Sequence, residues 1–125
     1  MRLYFNWNIL ISAVTLKTEK RKFRLEMAKL RSAQDLESHQ FHKKRRTDRQ
    51  DLKTFFQAAF YQSENKDLYE QTLQKNLLNF DFEQSMALQK LLKRHEVQIQ
   101  HLEVSAIEFY ENRYPGMDGS KIIFD

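Results

Sequence analysis

The first residue of this chain that is either glycine or proline is Pro115, and the whole sequence holds two glycines and one proline. At ordinary usage of about 7% Gly and 5% Pro, the stretch before it would carry roughly a dozen. Glycine and proline are the residues that break helices and shape tight turns, so nothing before Pro115 forces helical backbone to stop. The chain is 41% hydrophobic with ten phenylalanines, which is too apolar for a disordered segment even though 30% of its residues are charged. The expected fold class is therefore all-α. At 125 residues the chain makes one domain at most. Two long helices bury less of themselves than a compact domain does, so no large private core is expected.

The formal net charge of +4 is unevenly distributed: residues 1–26 carry +4, residues 27–53 carry +4 and residues 54–125 carry −4. That asymmetry predicts two arms of opposite sign. The absence of cysteine removes disulfides, thiolate nucleophiles and cysteine-ligated zinc or iron–sulfur centres from consideration.

Residues 1–26 read as an apolar, then basic, N-terminal segment. Its apolar part, residues 3–16, is interrupted by Asn6 and Asn8 and followed by Lys17, Lys20, Arg21 and Lys22. It is too short to span a bilayer, and Ser12-Ala13-Val14 makes a poor signal-peptide cleavage site. An interfacial anchor is one reading of it. The favoured one is sequence upstream of the effective start, because Met27 opens the cleaner helical pattern.

Residues 27–114 read as an elongated helical hairpin, a coiled-coil-like bundle element with its turn near residues 62–67. In the first arm Leu52, Phe55, Phe56, Ala59 and Phe60 form a continuous stripe on one helical face. Phe23, Met27, Leu30 and Phe41 precede them, and between Phe41 and Leu52 the seam falls on Arg45 and Asp48. The run Gln62-Ser63-Glu64-Asn65-Lys66 has no strong hydrophobe, and Asp67-Leu68-Tyr69-Glu70 reads as a capping box opening a second helix; one uninterrupted helix from Met27 to Arg113 is the alternative, since five polar residues do not by themselves break a helix. There Leu88, Leu92, His95, Ile99, Leu102, Ala106 and Phe109 alternate at spacings of four and three, a heptad seam. Leu78, Phe80, Phe82, Met86, Leu91 and Tyr110 widen the apolar surface beyond what a single partner helix covers, which suits a bundle of three or four helices. Tyr114-Pro115-Gly116 is a stop signal, and residues 115–125 are a C-terminal tail whose Ile122-Ile123-Phe124 either docks or pairs as a strand.

No arrangement of side chains points to catalysis. His39 and His42 share a helical face but have Lys43 and Lys44 beside them and no third ligand. His95 has Ile99 where a zinc-protease helix places its second histidine, so it reads as a polar seam residue. Glu108 and Glu111 resemble paired glycosidase carboxylates in composition only, since two rods enclose no pocket. The sequence thus predicts no enzyme activity, no metal and no cofactor. The basic run Lys43, Lys44, Arg45, Arg46 and Arg49 could neutralise nucleic-acid phosphates. It could equally lie along the acidic second arm or an acidic partner and set register.

A helical hairpin of this length, with a polar turn near its middle and an aromatic-rich segment at the end of its second helix, resembles the small helical accessory proteins of LXG toxins in type VII secretion. These are relatives in layout of the WXG hairpins. Phe60-Tyr61 stand before the turn and Phe109-Tyr110-Glu111-Asn112-Arg113 close the second helix. Tyr114-Pro115-Gly116-Met117-Asp118 matches the Tyr-x-x-x-Asp or Glu pattern of WXG-type secretion partners, with Tyr114 and Asp118 as its fixed residues. No Trp-x-Gly stands at the turn, and the single tryptophan is Trp7, so the chain is not a WXG protein itself. The resemblance implies a cytoplasmic adaptor, or one exported with its cargo, that pairs with the helical N-terminal region of a toxin or with a second small helical protein. Phe55, Phe56, Phe60, Leu88, Leu92, Ile99, Leu102 and Phe109 are the expected packing surface. Two other readings stand beside it. One is a nucleic-acid-binding or regulatory coiled coil acting through residues 43–49, and the other is an export chaperone resembling flagellar stalk proteins. Self-association is open in all three.

Overall fold

The computed structural model describes the backbone of residues 2–124 and the side chains of residues 16–124. Apart from Leu16, the apolar stretch of residues 3–16 lies outside the described side chains, as does Trp7. The protein is an all-α helical hairpin, with no strand among the described residues. Helix α1 runs Arg2–Gln62, α2 Lys66–Arg113 and a short α3 Gly119–Phe124. The chain divides into two packed units, residues 34–95 and residues 1–33 with 96–125.

The unit of residues 34–95 contains the hairpin turn, which is made without glycine and without any non-glycine residue at positive φ. Polar side chains close it instead. The Ser63 N–H donates to the Phe60 carbonyl (3.2 Å), and the Ser63 Oγ accepts from the Asn65 N–H (3.1 Å). Asn65 Oδ1 then accepts from the Leu68 N–H at 3.2 Å, the N-cap bond of α2. The cap is thus Asn65, two residues before the Asp67-x-x-Glu70 box read from the sequence. Asp67 sits in the first turn of α2, where a negative charge meets the positive end of the helix dipole.

Leu77 is the buried hydrophobe of this unit, with Phe41, Leu52, Phe56, Phe80, Leu88 and Leu91 half-buried. The α2 seam departs from the heptad read from the sequence. Leu91 is half-buried while Leu92 is 52% exposed, and further along Tyr110 is buried while Phe109 is 50% exposed. A straight α-helix repeats every 3.6 residues, so a strict seven-residue seam drifts by about 20° per heptad and the buried position moves to a neighbour.

The unit of residues 1–33 and 96–125 has the larger core: Phe23, Tyr110, Ile122 and Ile123, with Leu16, Met27, Leu102, Ala106, Ile107 and Tyr114 packed around them. Residues 16–27 are thus part of a packed unit, and α1 passes through Met27 without a break. The tail docks as a helix. Gly116, at φ 89°, makes the turn after Pro115 in the left-handed region open to glycine. Asp118 Oδ1 caps α3, accepting from the Ser120 N–H (3.0 Å) and Oγ–H (2.6 Å). Gly119 lets α3 lie directly on α2: a Cβ there would stand 2.5 Å from the Ile107 carbonyl oxygen.

Candidate functional site

In the unit that holds α3, Glu19 and Glu26 of α1 and Leu102, Ala106, Phe109 and Tyr110 of α2 border a half-open recess of about 320 Å³. Glu19 is buried, which an isolated carboxylate tolerates poorly. Arg113 answers it with an ion pair of 2.9 Å, and the Tyr114 hydroxyl donates to its other oxygen at 3.3 Å. Burial raises the Tyr110 phenol above its ordinary pKa, with Glu19, Tyr114 and Glu26 adding to the shift. The Arg113 guanidinium also lies over the Phe109 ring, 5.9 Å from its centre. Glu19 was not singled out by the sequence reading. Its signal is a carboxylate four residues before Phe23, on the face that α2 covers.

In the unit of residues 34–95 the seam carries two polar layers. Gln34 is buried and donates from Nε2 to the His95 carbonyl at 3.0 Å. His95 is buried, and its Nε2 lies 3.5 Å from a Glu37 carboxylate oxygen without hydrogen-bond geometry. Glu37 in turn pairs with Arg94. The second layer is a two-pronged pair in which Arg49 Nε and the guanidinium Nη2 meet the two Asp81 oxygens at 3.0 and 3.2 Å. The hydrogen bonds from Arg49, helped by the charges of Arg49, Arg45 and Lys53, hold the Asp81 carboxyl below its usual pKa. Arg49 is therefore engaged within the chain and Arg45 is half-buried in the seam, whereas Lys43, Lys44 and Arg46 are exposed. The basic run is split between register and surface.

The residues expected to meet a partner fall into two sets. Phe55 (69% exposed), Leu92 and Phe109 are open to solvent. Phe56, Phe60, Leu88, Ile99 and Leu102 are half-buried within the chain. Phe56 and Phe60 border a shallow recess with Tyr69 and Leu73, and Lys66 Nζ lies 5.3 Å from the Phe60 ring centre. Tyr114 and Asp118, paired by the secretion-type pattern, both have internal partners: Glu19 for Tyr114, the start of α3 for Asp118. No group of three or more His, Asp or Glu converges as metal ligands among the described residues. No helix there is long and apolar enough to cross a membrane.

Fold and surface together define a helical hairpin with charged seams and an incompletely covered apolar surface. No family model matches the sequence, and neither a curated protein nor a solved structure matches it.

Proposed function

We propose that the chain is a non-catalytic helical adaptor that completes a bundle with a helical partner. The observation that carries this is unmet burial. Among the described residues of the unit 34–95, Phe55, Leu78, Phe82, Met86 and Leu92 are exposed while Leu77 is the one buried hydrophobe. Exposed Phe55, Leu92 and Phe109 supply apolar side chains of the kind by which a helix lays its face into a partner's groove.

The partner to test first is the helical N-terminal region of a secreted toxin, and the pairing would help target that toxin for type VII export. The layout of the hairpin and the Tyr114 to Asp118 pattern support this choice. Pairing works by mass action, apolar stripes on each partner being buried together.

Leu92→Asp with Phe109→Asp should abolish co-purification with a toxin N-terminal region, because each ionised carboxylate in an apolar interface costs several kcal/mol. Both positions are half exposed in the chain alone, so helicity should hold. Leu102 is a poorer choice, since it packs against the core of its own unit. A complex of unchanged affinity with the double variant would sink this surface assignment.

Exposed Lys43, Lys44 and Arg46 favour one second reading, phosphate contact with nucleic acid. Replacing the three by Gln leaves the Arg49–Asp81 pair untouched. If the protein binds DNA tightly at about 0.15 M salt and the triple variant does not, this second reading replaces the first.

A further inference from the structure

Within residues 34–95, α2 carries a second apolar row that its own hairpin does not use. Leu78, Phe82 and Met86 stand at intervals of four and are 74%, 68% and 44% exposed. Leu77, Leu88, Leu91 and His95 mark the inward face of the helix. At 3.6 residues per turn, Leu78, Phe82 and Met86 lie within about 80° of one another on the outer side.

We propose that a second copy of this chain packs antiparallel on this row, with a two-fold axis at Phe82, so that two hairpins meet through their α2 helices. The row is evenly spaced about Phe82, with an aliphatic side chain of similar size at each end. A dyad there sets Phe82 on Phe82 and Leu78 on Met86 of the second copy, the self-complementary arrangement that closed dimers require. The flanking residues agree. The same dyad sets Lys75 against Gln89 and Lys93 against Gln71, so neither lysine on the face of the row meets a like charge, and Lys93 comes within one helical turn of Asp67 and Glu70 of the second copy; Asp81 and Glu83, which the dyad also relates, lie about 100° round the helix on either side of Phe82, off the row. A parallel pairing in register would instead set Lys75 on Lys75 and Lys93 on Lys93, a repulsion repeated at both ends. Each copy would cover three large side chains that are otherwise 74%, 68% and 44% exposed.

The absence of cysteine gives a direct test. The full-length Phe82→Cys chain, oxidised in its folded state with copper phenanthroline, should link to itself. Leu78→Cys and Met86→Cys should each fail alone and link when mixed. In sedimentation, Phe82→Asp should weaken dimerisation by about a hundredfold or more, because it sets two carboxylates against each other at the axis. Its helicity should stay unchanged, Phe82 being exposed in the single chain. The proposal is overturned by a wild type that stays monomeric at about 100 µM. Self-linking of Leu78→Cys as ready as that of Phe82→Cys overturns it too, as does a Phe82→Asp chain that dimerises normally. Toxin capture is measured separately on Phe82→Asp. Its survival beside loss of the dimer shows that the two surfaces are independent.

Discussion

The two units of this protein are built from the same pair of helices and reach different degrees of closure. Where α3 lies on the pair, Phe23, Tyr110, Ile122 and Ile123 are buried together. In residues 34–95, where no third helix is present, Leu77 is the one buried hydrophobe among the described residues, and Leu36, Phe55, Tyr61, Leu68, Leu78, Phe82, Met86 and Leu92 are exposed. Two helices offer each other one stripe and leave their outer faces bare; a third layer is what closes a core. The six-residue α3 supplies that layer for one unit. The other unit holds register with Arg49–Asp81 and the Gln34–His95–Glu37–Arg94 layer, and its apolar surface remains open to a partner.

Removing α3 is the strongest way to break this contrast. Ile122→Ala and Ile123→Ala should each cost about 2–5 kcal/mol, the range for emptying a buried aliphatic site. A chain ending at Asp118 should lose amide protection over residues 16–33 and 96–113 while residues 34–95 keep theirs. Equal loss across both regions would mean that the units unfold as one block and that α3 closes more than its own unit.

Gly119→Ala tests the same contact more gently. The added Cβ would meet the Ile107 carbonyl oxygen at 2.5 Å and its Cγ2 at 2.9 Å, so α3 must shift. Overpacking of this sort costs about 1–3 kcal/mol. Gly116→Ala meets nothing within 4 Å and strains only the backbone at φ 89°, a cost of about 1–2 kcal/mol. Urea midpoints that rank Gly116→Ala as the worse of the two would show that α3 is held loosely.

Much of this architecture is legible in the residues, and what is not has definable causes. The lack of glycine and proline before Pro115 dictates helix, and the polar run at residues 62–66 marks the turn. Its cap, however, depends on which of several polar side chains reaches a free N–H, and Asn65 takes it rather than Asp67 because α2 begins two residues earlier than the box implies. The exchange of Leu92 for Leu91 and of Phe109 for Tyr110 in the seam has another origin. Both members of each pair are apolar, so periodicity alone leaves an ambiguity of one position, and the drift of a 3.6-residue repeat resolves it. Glu19 and Asp81 were hidden because a carboxylate in a charged sequence reveals its partner only once the pairing of the two arms is known. For Ile122 and Ile123 the sequence left docking and strand pairing open, and their helical form was not legible, since six residues have no periodicity to speak of.

The smallest effect concerns the seam that lacks α3, and it is read as a pH dependence. The Asp81 carboxyl is held below its ordinary pKa chiefly by hydrogen bonds from Arg49. A carboxylate whose folded pKa is depressed stabilises the fold above its unfolded value, about 3.9 for Asp, and loses that contribution as pH falls through the lower folded value. Arg49 stays charged throughout, its own pKa being raised by the same contact. The stability difference between wild type and Asp81→Asn should therefore be constant near neutrality and shrink below about pH 4. Because both side chains are about a third exposed, at 35% and 38%, added salt should shrink the difference as well. Asp118 has a lowered pKa from its bonds to Ser120 and loses its contribution in the same direction, but it does so equally in both proteins and cancels. Urea titrations of the two proteins at about pH 6 and about pH 2.5 decide the matter. An Asp81→Asn deficit that is the same at both values would mean that the arginine pair leaves the stability of residues 34–95 unchanged. Register there would then rest on the buried Gln34 and His95 layer alone.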